Sequence, residues 1–456
     1  MSQPAITTRE SSASPAKPPS LAYGWYIVLV LTAVYMLSFV DRQILGLLVQ
    51  PIKRDLGISD FQVGLLAGPA FALFYTFMGL PLGRFVDTSN RRNLVAVCIV
   101  IWSFFSSSCS AAKTYLTLFF SRMGVGVGEA GLGPAAYSLI SDYFPKDRMG
   151  AAISVYYMGL FFGSGLAALV SGMTVQALAR VPTLTLPLLG TIASWRATFL
   201  VVGLPGLLFA LLALTIREPM RKNLLRAADG HVAKISFWEA FGEMRRRWQS
   251  VAGISVGMVF QAASTYAITQ WVPAFLQRVH GWPAGLTGKT QAAILVIFGC
   301  SGMYVGGVLS DRWQRRGVCE APLKVALVAA IGIGLFLPAA LLAPRIEVCL
   351  TLLAVGVFFL ALPMGTMVAA LQLIFPNQVR GQVSALFLFI LNLGGLNIGP
   401  VLPPFLSDKV FHNEKMIGVA LAITVGAAAV IMLGVFWATV RPYKTHYREM
   451  EAVENC

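Results

Sequence analysis

Twelve stretches of this chain are apolar over the length of a bilayer crossing, and no other feature restricts its fold so severely. They fall at 24–49, 61–83, 93–112, 114–140, 149–172 and 195–216, then at 251–279, 288–309, 323–343, 347–375, 380–405 and 416–440. A crossing helix needs about 20 mostly apolar residues. Inside hydrocarbon every backbone polar group must be bonded internally, which a helix achieves alone. The expected fold is an all-α integral membrane protein of twelve helices. Only 12% of the 456 residues are charged and 57% are apolar, against about a quarter charged in soluble domains. After twelve crossings no length remains for a folded soluble domain.

The net charge of +15 would suit a nucleic-acid partner, but its placement gives a different reason for it. Of 35 Lys and Arg residues, 23 fall in the tails and alternate loops that share one side, ten on the other, and two inside spans. Such a bias sets orientation and places both termini in the cytoplasm. Nucleic acid is therefore not an expected partner; membrane lipid is. Residues 1–20, rich in Ser, Pro and Ala, read as a disordered cytoplasmic tail. They do not read as a signal peptide, because the next apolar run has full span length and no cleavage site.

Six spans, a longer polar stretch and six more spans divide the chain. The expected units are an N-terminal bundle at 21–216, a cytoplasmic linker at 217–250, a C-terminal bundle at 251–440 and a cytoplasmic tail at 441–456. The linker carries eight basic and four acidic residues, with a capping-box pattern at Ser236 and Glu239. Phe237, Phe241, Met244 and Trp248 then recur on one helical face beside Arg245, Arg246 and Arg247. That pattern fits a helix on the cytoplasmic leaflet with arginines near lipid phosphates; a solvated helix packed on the protein is the other reading.

The halves also repeat in sequence. Gly83-x3-Asp87-x3-Arg91-Arg92 follows the second span, and Gly307-x3-Asp311-x3-Arg315-Arg316 follows the eighth, with Arg312 after the second aspartate. Phe144-Pro145-x4-Gly150 is echoed by Phe375-Pro376-x4-Gly381. Two motifs in the same order at matching helix ends point to duplication, the mark of a secondary transporter whose bundles rock about a central site. In this motif Asp87 can pair with the arginines or meet a neighbouring helix N-terminus, holding one side closed.

Four charges lie well inside spans, all in the first half: Asp41, Arg42, Arg122 and Glu129. Each costs about 2.5 to 3.5 kcal/mol on insertion scales, so such groups face a cavity or one another. Arg122 and Glu129 are seven apart and share a helix face, whereas the adjacent Asp41 and Arg42 point about 100° apart and need different partners. Depth places Asp41 beside Arg122, with Glu129 nearer the midplane. Asp41 and Glu129 are candidate proton carriers, and Arg42 and Arg122 their partners or ligands for an anion. The other reading is a structural ion-pair network.

The second half offers Gln261, Thr265, Tyr266, Gln270, Gln372, Asn392 and Asn397 as cavity lining or interhelical bonds. Gly124, Gly126 and Gly128, and Gly159 with Gly163, suit close helix crossings. Cysteines at 98, 109, 300, 319, 349 and 456 and histidines at 231, 280, 412 and 446 give no metal or disulfide pattern. No P-loop, G-x-S-x-G or H-E-x-x-H occurs, which points away from bound ATP and from an enzyme. No cofactor is expected beyond a proton gradient.

Together these features resemble the major facilitator superfamily, which implies two pseudo-symmetric six-helix bundles. Thr88 stands where that family's loop motif usually has Arg. Phe39-Val40-Asp41-Arg42, the run Arg122-Met-Gly-Val-Gly-Val-Gly128-Glu129-Ala130 and Ser141-Asp142-Tyr143-Phe144-Pro145 are similar to the Spinster family of lipid transporters. The resemblance implies a monomeric, proton-linked carrier of an anionic amphiphile, of the lysophospholipid or sphingoid phosphate class. The compact tails resemble those of bacterial members and imply the inner membrane. A symporter of small organic anions, a multidrug-type exporter and a passive channel or scramblase are the alternatives.

Overall fold

In a computed structural model the protein is described over residues 21–144, 146–178, 181, 183–186, 190–219, 237–375 and 379–454. The apolar runs form helices whose starts follow local chemistry. Ser59 and Gln62 make a reciprocal capping box, as do Thr114 and Thr117. The Asn90 side chain accepts from the Asn93 N–H. Gly57, at φ +63°, ends the first helical run and returns its N–H to the Lys53 carbonyl.

Eleven helices among the described residues are long and apolar enough to cross a membrane. Spans 1 to 3 are Leu21–Leu56, Asp60–Val86 and Arg91–Ala111; spans 5 and 6 are Ala152–Ala177 and Ser194–Leu214. Spans 7 to 12 are Trp248–Val279, Ala284–Gln314, Ala321–Leu342, Ile346–Leu373, Gln382–Val410 and Glu414–Ala452. The run expected as one helix at 114–140 is instead two, Tyr115–Glu129 and Leu132–Tyr143, separated by a turn at Ala130 and Gly131. We refer to this broken pair as span 4. A short antiparallel ribbon, β1 (Thr183–Leu186) with β2 (Gly190–Ala193), joins spans 5 and 6. Large apolar side chains such as Leu208, Val430 and Trp437 are exposed around the outside, the inverse of a water-soluble surface.

The two halves repeat each other in packing. Span 1 lies on span 5 as span 7 lies on span 11, span 2 on span 4 as span 8 on span 10, and span 3 on span 6 as span 9 on span 12. Between halves, span 2 meets span 11 as span 8 meets span 5. Glycine makes the closest crossings possible. A methyl group at Gly126 would stand 2.4 Å from the Phe71 carbonyl oxygen, and one at Gly163 would stand 2.6 Å from that of Met36. No other residue type fits at such separations.

Polar bonds between halves gather at the end opposite the termini. Lys53 and Asp60 of the first half meet Arg278 and Glu414 of the second. The Phe61 N–H donates to Asp408 at 2.7 Å nearby. Toward the termini the faces separate: beyond the ring contact of Phe77 with Phe389, Leu80 and Phe85 are exposed, and a methyl group at Gly83 or Gly307 would meet nothing within 4 Å.

The linker differs from expectation where it is described. The helix Phe237–Arg246 ends at Arg247, and Trp248 opens span 7, so the apolar face does not continue to it. Met244 is buried while Trp248 is exposed. Arg247 pairs with Glu243 and lies over the Phe375 ring; Arg245 and Arg246 are exposed. Ser236, the tail at 1–20, Pro145 and Pro376 lie outside the described residues.

Candidate functional site

Two helix interruptions bring the four intramembrane charges together. The first span turns at Ile44, just after Asp41 and Arg42, and the fourth turns at Ala130, just after Glu129. A carboxylate at a helix C-terminus faces the negative end of the helix dipole and needs compensation. Arg42 supplies it: its Nε donates to Glu129 Oε2 at 2.6 Å, and Ser38 Oγ donates to the same oxygen at 2.6 Å. Phe39, Phe71 and Tyr75 surround the Arg42 guanidinium, with ring centroids 4.6 to 5.0 Å away. A desolvated cation gains from such ring faces. From the other half, Tyr266 lies within electrostatic reach of Arg42.

Arg122 and Asp41 meet differently from the expected ion pair. Arg122 Nη1 donates at 3.0 Å to the backbone carbonyl of Asp41, not to its carboxylate. The carboxylate instead accepts from Ser106 through Oδ1. Depth places the two residues side by side, but the Asp41 carboxylate points at Ser106 of span 3. Asp41 still interacts electrostatically with Glu129, Arg122 and Arg42.

The constellation is closed to solvent yet incompletely bonded. Asp41 and Arg122 are 0% exposed and Glu129 is 1% exposed. Asp41 Oδ2, Glu129 Oε1 and both Nε and Nη2 of Arg122 have no hydrogen-bond partner. Buried charged groups with open valences are costly, so these atoms are places where a proton or an anion would bind with gain.

The remaining candidates divide. Gln261 donates to the Leu360 carbonyl at 2.6 Å and is a tie between spans 7 and 10. Asn397 bonds back to Leu393 in its own helix. Gln270 is buried with its Nε2 unpartnered, Asn392 is half-buried, Thr265 bonds back to Gln261, and Gln372 is exposed. Arg91 binds Asp142, Glu218, Ser138 and the Pro219 carbonyl, all outside the second half. Arg92 donates its backbone N–H to Glu218. Asp311 and Arg312 are exposed, and the Asp87 side chain lies outside the described residues.

Sequence reasoning missed the ionic cluster at the far end. Lys53, Asp60, Arg278 and Glu414 sit at span ends, where isolated charges look solvated. It also missed Gln43, Ser164, Thr269 and Gln291, single neutral residues in apolar spans.

The Major Facilitator Superfamily model matches residues 31–397. An "MFS-type efflux pump" of Mycolicibacterium smegmatis is 28% identical over 429 residues, 92% of this chain and 94% of that protein. A hexuronate transporter of Bacillus subtilis is 23% identical over 89% of this chain and 93% of its own. Among solved structures, a bacterial homolog to the human lysosomal transporter Spinster, in an inward-facing and unoccupied conformation, superposes with a TM-score of 0.72. It is 27% identical and covers 95% of this chain and 98% of its own.

Proposed function

The chain belongs to the major facilitator superfamily and is Spinster-like within it, a multi-pass membrane transporter, and from that premise we propose proton-coupled carriage of an anionic amphiphile by alternating access. The observation that carries the reading is the buried quartet Asp41, Arg42, Arg122 and Glu129 with its open valences. Asp41 and Glu129 load and release the proton, and Arg42 and Arg122 take the anionic head group.

The chemistry follows from competition. While Glu129 is ionised it occupies Arg42. Protonation weakens that bond and leaves a guanidinium fork suited to phosphate or carboxylate. An anion then enters as the proton does. The second half has no charge near this level and presents aliphatic side chains, against which an acyl chain lies without stranding polar groups.

Positive-inside bias supports both termini in the cytoplasm of a bacterial inner membrane. In that orientation the ionic cluster closes the outer side, and the present conformation faces inward. The carrier works as a monomer, with Asp87, Arg91 and Arg92 and their counterparts Asp311 and Arg312 closing the inner side in the opposite state.

The hexuronate relative favours a second reading, a symporter of sugar acids using the same arginines. Uptake into proteoliposomes with and without an imposed pH gradient separates the cases. Gradient-driven accumulation of a single-chain lipid phosphate supports the first reading. Accumulation of hexuronate alone replaces it with the second, and gradient-insensitive flux of lipid replaces it with a passive scramblase.

A further inference from the structure

Arg42 turns toward Glu129, and its neighbour Gln43, about 100° round the helix, turns into the seam between the halves. There Gln43 and Ser164 of the first half face Thr269 and Gln291 of the second around a small recess of about 10 Å³, with Leu47 and Leu295 among its apolar wall. A recess of that size has room for one water-sized group, which a hydroxyl matches.

Its polar lining is neutral and partly unused. Gln291 Nε2 donates to the Thr269 carbonyl at 2.9 Å, which fixes the amide and leaves Oε1 without a partner although Gln291 is 6% exposed. Thr269 donates its hydroxyl proton to the Thr265 carbonyl, so its oxygen keeps lone pairs. The Ser164 hydroxyl and the Gln43 amide each donate and accept. With no carboxylate or cation in the lining, the site suits neither a metal ion nor an anion. Its complement is an uncharged group that both donates and accepts, which is a hydroxyl.

A second recess adjoins the first and shares Gln291 and Leu295 with it. That space, also about 10 Å³, is otherwise lined by aliphatic side chains including Ile268, Val272 and Leu353. Gln43 follows Arg42 in the chain, and Gln291 and Leu295 line both recesses.

Resting on the amphiphile reading above, we propose that Gln43, Ser164 and Gln291 form a hydroxyl subsite next to the Arg42 head-group site. It selects single-chain lipids that carry a free hydroxyl beside the chain attachment. Because both halves contribute to it, the subsite is complete only when they are closed at the end opposite the termini, as here.

The test is titration calorimetry on the protein in lipid nanodiscs, with empty nanodiscs subtracted. Two probes of equal chain length are compared: a lysophosphatidate, which has a free glycerol hydroxyl, and an alkyl phosphate, which has none. The wild type is expected to favour lysophosphatidate about tenfold, the ratio that about 1.4 kcal/mol gives. Gln291→Leu and, separately, Ser164→Ala are expected to bring that ratio within about twofold while alkyl phosphate binds as before. Ser164→Ala keeps the test valid if loss of the Gln291–Thr269 bond disturbs folding. Equal wild-type affinities, or a preference unchanged in both variants, overturn the subsite and leave the transport reading standing. Binding of neither lipid overturns both.

Discussion

Arg278 of the second half grips Asp60 of the first through both carboxylate oxygens, with Nη2 and Oδ1 2.7 Å apart. Lys53 binds Asp60 as well, at 2.8 Å, and reaches Glu414 at 2.6 Å. Asp60 is fully buried while Glu414 is largely exposed, so the Asp60–Arg278 bond dominates the cluster. Bonds between charged partners contribute about 1.5 to 3 kcal/mol each, and Asp60–Arg278 and Lys53–Glu414 span the plane on which the halves must part.

Removing that bond should release the closed end. Arg278→Ala is expected to raise the population open at that end by a factor of about 10 to 100. Spin labels on the loops after spans 1 and 11 would show a longer distance component growing in. A distance distribution identical to the wild type would show that the cluster does not hold the halves.

How much of this was legible beforehand differs by residue. Asp41, Arg42, Arg122 and Glu129 stood out because a charge inside a span demands a reason. Depth put Asp41 beside Arg122, but the Arg42–Glu129 pair was not legible, since helical spacing gives a face and not the neighbour across from it. The missing information was the interruption after Glu129, at Ala130 and Gly131. Arg91 was expected to gate, yet here it binds Asp142, from the same first-half motif that carried the family resemblance, and Glu218. Gln43 and Gln291 were illegible for a simpler reason: a lone glutamine in a span usually ties two helices together.

Coupling predicts a specific loss. Asp41→Asn and Glu129→Gln should each abolish gradient-driven accumulation, with the proteins still recovered as monodisperse species. Downhill exchange should persist in Glu129→Gln and lose its dependence on pH, because the amide holds Arg42 weakly at every pH. Normal accumulation by both variants would remove the carboxylates from the mechanism.

Crossing geometry predicts a contrast between two glycines. Gly126→Ala drives a methyl group toward the Phe71 carbonyl, whereas Gly83→Ala meets open space. Overpacking costs about 1 to 3 kcal/mol, and surface changes stay within about 0.5 kcal/mol. Thermal unfolding in detergent should therefore fall by several degrees for the first and hardly move for the second. Equal shifts would contradict the close crossing of spans 2 and 4.

Orientation is checked at the linker. A single cysteine at Gly230, in a cysteine-free background, should react with a membrane-impermeant maleimide only after the bacterial membrane is opened. Labelling in intact spheroplasts would place the linker outside and invert the topology.

The final prediction joins the charged cluster to the apolar second half. Burial of a methylene contributes about 0.8 kcal/mol, so affinity for alkyl phosphates should rise by up to about fourfold for each added carbon that is buried and then level off. The head group should depend on Arg42, which Glu129 occupies until it is protonated. Arg42→Ala is expected to weaken a lysophosphatidate by about 10- to 100-fold, the worth of a charged hydrogen-bonded contact. A neutral monoacylglycerol of the same length should change by less than about threefold, since it never used the guanidinium. If glucuronate instead competes better than either lipid, and chain length has no influence, the arginines serve a small polar anion and the sugar-acid reading takes the place of this one.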